Sequence, residues 1–386
     1  PGGYISGPRE SEAGILIKTT REPANEGSHR ALGDAMPWMI YGANGYTGEM
    51  IAREAAKRGM RPILAGRNEA AVTALANKLS LQSRVFSLND EAAVLEGLNE
   101  VDLVLHCAGP FSETAEPMMM ACLQTKTHYL DITGEISVFE LAQSLSGKAR
   151  KQKIVLCPGV GFDVIPTDCV ASRLHELLPD ATHLALGFDS RSGLSAGTAK
   201  TTVEAMKLGG RVREDGEIKA VGLGYSTREI NFGNGTKFAV TIPWGDVSTA
   251  FHSTGIRNIE VYIPSSPKSV RMMRAANLAR PILGMSLVQG ILKKQAAKVE
   301  GPNEEQRAKM PAYVWGEATN AEGKKVVARV KTANGYSLTV MGSLAVASFI
   351  LMEKNVAGGA YTPSKLMGSD LVERLDGCGK IQIFEQ

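Results

Sequence analysis

Three glycines, Gly42, Gly45 and Gly48, punctuate "MIYGANGYTGEMIAREAAKRG", between a short apolar run and a stretch of helical period. Binding a pyrophosphate needs that placement. Glycine permits a tight turn and close approach of backbone N–H groups, and the first turn of the next helix adds unpaired donors and a partial positive charge. The contacts would come from Gly42, Asn44, Gly45, Tyr46, Thr47 and Gly48. A plain turn also uses glycine, so the order strand, loop, helix is what gives the pattern weight. A second apolar run ends in "LAGRN", where a chain selective for NAD carries an acid on the ribose 2′-hydroxyl. Arg67 stands there instead, beside Asn68, with no acid before Glu69. An arginine can pair a 2′-phosphate bidentately. One charge-assisted bond of about 1.5–3 kcal/mol favours NADP over NAD by roughly ten- to a hundredfold. NADP(H) is the expected cofactor.

More candidates follow at the ends of later apolar runs. "VDLVLHCAGPF" places Ala108, Gly109 and Pro110 where the backbone would pass a ribose or phosphate; Phe111 either faces the nicotinamide or fills a core. Cys107 reads as a small buried residue rather than a nucleophile. "THYLDITGE" and "KIVLCPGVGFDVIPTD" are expected to bring Asp131, Glu135, Asp163 and His128 to one cleft. A carboxylate there could protonate a substrate opposite the face that takes a hydride. Singly, each serves equally well as a cap, a turn residue or a salt-bridge partner. A tyrosine and lysine four apart occur at Tyr361 and Lys365, but Pro363 between them breaks the helix a short-chain dehydrogenase would need. No metal-ligand spacing is present.

The elements that must position these residues alternate in α/β fashion from Pro37. Strands are expected at "WMIY", "RPILAG", "SRVFSL", "VDLVLHCAG", 128–132 and 154–157, with helices between, which implies a parallel sheet with right-handed crossovers. After Thr167 the pattern changes. "REINFGNGTKFAVTIP", turning at Asn234-Gly235, and "YVWGEATNAEGKKVVARVKT" read as hairpins. The expected fold is therefore a Rossmann-type parallel-sheet domain plus a second α+β domain with a mixed or antiparallel sheet. The uncharged stretch 332–352 is long enough to span a membrane, but its polar residues favour a strand ending near Thr339 and then a buried helix.

At 386 residues, two domains are expected. The boundaries fall at 36–166 and 167–339, with 340–386 packing back on the first domain and 1–35 a flexible extension. A net charge of +3, without basic-aromatic interleaving, argues against nucleic acid. Five scattered cysteines read as reduced thiols in the cytoplasm. The turn at 195–201 suits a substrate anion or ordinary capping. Residues 268–298 are basic and apolar at helical spacing, which fits peripheral contact with an anionic membrane surface, an acyl carrier or a lipid-like ligand. A dimer or domain interface with a solvated basic rim fits slightly better.

Together, "YGANGYTG", "LAGRN", "HCAGPF", "THYLDITGE" and "GVGFDVIPTDCVASRL" resemble, in order and spacing, the saccharopine dehydrogenase-like oxidoreductases. "TIPWGDVSTAFHSTG" and "GGAYTPSKLMGSDLV" are similar to the branch holding the trans-acting enoyl reductases of lipid biosynthesis. The resemblance runs from residue 36 to the C-terminus. It implies NADPH, a second domain that dimerises as a homodimer or covers the cleft, and a last helix returning to the first domain. It also implies reduction of a C=C or C=N bond in a hydrophobic small-molecule or acyl substrate, lipid- or carrier-linked. Two alternatives stay open: an amino-acid imine oxidoreductase of the saccharopine dehydrogenase type, and a non-catalytic NADP-binding sensor or scaffold.

Overall fold

Strand β1 (Trp38–Tyr41) is buried along its whole length, since strands flank it on both edges and helices cover both faces. The computed structural model describes residues 36–190, 209–283, 303–353 and 355–385, all within the compact unit Met36–Gln386. Around β1 run β2 (Ile63–Gly66), β3 (Ser83–Val85), β4 (Leu103–His106), β5 (His128–Asp131) and β6 (Val155–Cys157). A late strand, β15 (Gly359–Ala360), joins β6 at the edge. The order is β15-β6-β5-β4-β1-β2-β3, with every ladder parallel. From β1 the chain builds outward first through β2 and β3, then on the other side through β4. That reversal opens a crevice at the carboxyl ends of β1 and β4, where open α/β sheets take their ligands.

The crossovers are α1 (Tyr46–Lys57), α2 (Glu69–Leu79), α3 (Glu91–Gly97), α4 (Phe111–Thr125) and α5 (Ile136–Gln152). After α6 (Ile165–Leu177) the second sheet begins. It contains β7 (Ala181–Ser190), β8 (Gly210–Glu214), β9 (Glu217–Val221), β10 (Thr227–Asn231), β11 (Thr236–Thr241), β12 (Asn258–Pro264), β13 (Ala312–Asn320), β14 (Lys325–Thr332) and β16 (Gln382–Glu385). Only β12 and β7 pair in parallel among these strands, so the sheet is mixed. Both expected hairpins form, as β10–β11 and β13–β14. The β8–β9 hairpin, turning at Asp215-Gly216 with positive φ at both residues, was not anticipated. Helix α7 (Asp246–Thr254) lies beside α6, and α8 (Pro267–Leu283) and α9 (Glu304–Lys309) follow β12. The turn at 195–201 and the later part of the basic segment, 284–298, lie outside the described residues.

One expectation is corrected. No strand approaches Thr339: β14 ends at Thr332, and Asn334 caps α10 (Gly335–Met352) by accepting from the Tyr336 N–H at 3.0 Å. An asparagine at that position supplies the missing partner of a first-turn donor, so the helix starts before the apolar run does. With a mean hydropathy of 1.6, α10 is long and apolar enough to cross a membrane. Here it packs on α1, and Leu338, Leu344, Ala347 and Ile350 enter the core of the first sheet. The short α11 (Pro363–Met367) is capped by Thr362.

Leu344 is fully buried in that core. Leu344→Ala should lower unfolding free energy by about 2–5 kcal/mol, read as a fall in the urea midpoint at unchanged slope. A loss below about 1 kcal/mol would mean the helix does not pack there.

Candidate functional site

The loop at 42–48 is built by contacts glycine alone allows. Gly42 has φ +82°, and a Cβ on it would meet the Ala108 backbone nitrogen at 2.8 Å. A Cβ on residue 48 would stand 2.3 Å from the Gly42 carbonyl oxygen. The Gly42 and Ala43 amides both donate to the Ala65 carbonyl, at 2.7 and 3.1 Å. The turn is thus fastened to the end of β2, and the exit of β4 presses against it. Asn44 and Gly45 are exposed and Tyr46 and Thr47 half-buried. Gly45, the N-cap of α1, supplies no side-chain cap, so the helix presents first-turn donors to whatever lies above it.

Arg67 follows β2 directly and is exposed. The β1–β2 register pairs Tyr41 with Ala65, which sets Arg67 level with the start of the loop. The intervening Gly66 lies against Asn44, whose Oδ1 would be 3.1 Å from a Cβ there. Asn68 caps α2 by accepting from the Ala71 N–H at 3.1 Å. The residues present suit a dinucleotide phosphorylated at the 2′ position: a cradle any Cβ would fill, and a cation at the ribose end without an adjacent acid.

At β4, Ala108 and Pro110 are half-buried and Gly109 is exposed. The Phe111 ring sits edge-on to buried His106, centroids 5.3 Å apart, and packs on the core under α4. Thr114 can give its one hydroxyl proton to the Ala108 carbonyl at 2.7 Å, and His106 Nε2 lies 3.0 Å from the same hydroxyl. His106 then donates through Nε2. Burial lowers its pKa to about 3, so it stays neutral and is no proton source.

The four residues expected in one cleft separate. His128 stands at the amino end of β5, opposite Leu103 at the start of β4, hence on the wrong edge of the sheet. Its Nδ1 accepts from the Val155 N–H at 2.9 Å, and burial lowers its pKa. Glu135 caps α4, accepting from the Phe111 and Ser112 N–H groups at 2.9 and 2.7 Å. Asp131 lies at the carboxyl edge but is sealed. It accepts from the Tyr129 hydroxyl and the Thr133 and Gly159 amides at 2.7, 2.9 and 2.8 Å, which clamps the β5 and β6 exits together. Burial outweighs those bonds and pushes its pKa to about 7.

Asp163 differs. It keeps partial exposure, and no hydrogen bond to its carboxyl occurs among the described residues. The carboxyl lies over Gly134, where a Cβ would come within 2.9 Å of Oδ2. Burial raises its pKa to about 7. Its main-chain oxygen accepts from the Trp244 indole N–H at 2.9 Å, bringing the segment between β11 and α7 onto the first sheet's edge. Trp244, Phe188 and Phe162 then form an aromatic row, with centroids 4.9 and 5.6 Å apart. Sequence reasoning did not single out Trp244 or Phe188, which reach the site from the second sheet without a local signal.

A cavity of about 500 Å³ lies elsewhere, on the second sheet, lined by residues including His183, Arg213, Arg228, Glu260 and Glu317. Its arginines are committed: Arg228 to Glu317, and Arg213 to the Val247 and Gly216 carbonyls and Glu140. Neither the glycine loop nor Asp163 lines it.

A family model described as the saccharopine dehydrogenase NADP binding domain matches residues 38–156. That match covers less than half of the chain and describes its cofactor-binding region. NADP(H) is its cofactor, in accord with Arg67. The chain is similar to a saccharopine dehydrogenase-like oxidoreductase of Homo sapiens, 27% identical over 150 residues, covering 34% of this chain and 35% of that protein. It is also similar to a trans-acting enoyl reductase of Mycobacterium ulcerans, 26% identical over 187 residues and 44% of each chain. The matches thus span about a third to less than half of the relatives' lengths. Apo saccharopine dehydrogenase (L-Glu forming) from Saccharomyces cerevisiae shares the fold, with a TM-score of 0.62 at 11% identity, over 90% of this chain and 100% of that one.

Arg67→Ala should weaken NADPH binding by about ten- to a hundredfold and leave NADH affinity unchanged, as read by calorimetric titration. Equal losses for both nucleotides would show that Arg67 does not read the 2′-phosphate.

Proposed function

We propose that the chain is an NADP(H)-dependent oxidoreductase that reduces a C=C or C=N bond in a hydrophobic substrate, lipid- or carrier-linked. The observation that carries this reading is Asp163, a carboxyl with partial exposure and a pKa near 7, beside an aromatic wall on the cofactor's edge of the sheet. NADPH, when bound, supplies hydride to one atom of the double bond. The other atom needs a proton, and a carboxylic acid that is half protonated near neutrality both holds and releases one at physiological pH. Asp163 gives that proton and is left as carboxylate, to be reprotonated from solvent through its exposed side. Phe162, Phe188 and Trp244 exclude water and accept an apolar or conjugated group.

The two relatives named as oxidoreductase and enoyl reductase support this reading at the level of the shared domain. The acyl-carrier or membrane contact belongs to the same proposal. On α8, Lys268 and Arg271 are exposed beside Met272 and Leu278, which are 65% and 89% exposed. A non-catalytic sensor would bind NADPH and leave Asp163 without a task.

Turnover is measured as NADPH oxidation across 2-enoyl thioesters and cyclic or amino-acid imines. With a substrate that turns over, Asp163→Asn should cost about a hundredfold or more in rate while sparing NADPH affinity. The wild-type rate should fall as pH rises through about 7, because the acid form is lost there. An Asn variant as fast as wild type would remove Asp163 from the chemistry. Cofactor binding without turnover on any of these substrates would favour the sensor.

A further inference from the structure

Arg307 lies 261 residues beyond Tyr46 in sequence, and its Nη1 donates to the Tyr46 hydroxyl at 3.0 Å. Tyr46 is the first residue of α1, so this arginine is tied to the side chain that opens the helix. It is not a chance contact of a wandering side chain. The Arg307 N–H bonds the Asn303 carbonyl at 3.0 Å in the turn that opens α9. Just past α9, the Met310 carbonyl accepts from the Asn334 side-chain amide at 3.0 Å. The same asparagine caps α10, whose second residue, Tyr336, meets the Tyr46 ring edge-on at 5.1 Å. Two elements held together by Asn334 therefore close on Tyr46 from two sides.

We propose that Arg307 is a phosphate-binding residue of the dinucleotide site, holding the nicotinamide-side phosphate of NADP(H) against the first turn of α1. This rests on the domain's binding of NADP(H), not on the reduction proposed above. The chemistry follows from placement. A pyrophosphate on a helix N-terminus carries more negative charge than the helix's partial positive charge offsets. A guanidinium has five donors in a planar fork, which lets one arginine serve several oxygens at once. Tyr46 remains a neutral acceptor, since burial raises its pKa against the pull of Arg307. Arg67 is placed for the adenosine end, and Arg307 reaches the helix turn from α9. The two cations divide the cofactor: one reads the 2′-phosphate, the other the bridge.

The test is calorimetric titration of the full chain with NADPH and with adenosine 2′,5′-bisphosphate, which lacks the nicotinamide-side phosphate. Arg307→Ala should weaken NADPH by about ten- to a hundredfold and leave the bisphosphate within about twofold. Arg307→Lys, which keeps the charge without the fork, should recover part of the loss. Tyr46→Phe should lose less than Arg307→Ala. The proposal is overturned if NADPH affinity is unchanged in Arg307→Ala, or if the bisphosphate weakens in the same proportion. It is also overturned if Tyr46→Phe reproduces the full loss, because the arginine would then act only by holding the tyrosine. Unfolding midpoints of all variants guard against a collapsed loop, and wild type binding neither ligand would defeat the cofactor assignment as well.

Discussion

The clearance between Gly48 and the Gly42 carbonyl sets the geometry of the cofactor edge. With no room for a Cβ at 48, the chain folds back tightly enough for α1 to start directly on the end of β1. The same turn aims two amides at the Ala65 carbonyl, which fixes the end of β2 and so the position of Arg67. It also receives the backbone at Ala108, which fixes the exit of β4. Three strand ends are located by one turn. A methyl group there would require the helix to shift or the strands to part, so the affinity of the site and the integrity of the sheet edge are not independent.

Beside this edge lie three sealed acids and one half-buried one, whose solvation has been replaced unequally. Asp131 receives three hydrogen bonds. Asp168 takes the Ser364 N–H at 2.7 Å and the Ser253 hydroxyl, and Asp246 takes the Thr167 hydroxyl at 2.7 Å. The last three bonds tie α6 to α7 and to the C-terminal α11. Asp163 has no such compensation among the described residues, and its charged form is disfavoured by burial alone. Raised carboxyls also bear on stability. Between their ordinary value of about 4 and about 7, the folded chain holds protons the unfolded chain has released, so stability falls as pH rises through that window.

Much of the first sheet was legible because its cause is local. Fully buried parallel strands read as short apolar runs, and the loops between them carry their own glycines and caps. Hairpins with Asn234-Gly235 announced themselves in the same way. Two kinds of feature stayed hidden. The start of α10 turned on one capping asparagine that an apolar-run reading passes over. The fates of Asp131, Glu135 and His128 turned on partners 2 to 28 residues away, whose bonds no spacing rule reports. Residue type alone could not separate a clamp, a cap and a misplaced histidine from an available acid.

The family model stops at residue 156, where the cofactor sheet is complete but for its late edge strand. Asp163, Phe188 and Trp244, proposed above to meet a substrate, all lie beyond it, on elements that pack back across the edge. Conversely, Gly42, Gly48 and Arg67 lie within it. A shared cofactor needs a shared cradle, whereas a substrate is met by whatever the second sheet presents over that cradle. Similarity within 38–156 therefore speaks to NADP(H), and the chemistry of the other reactant must be sought in the segments that follow.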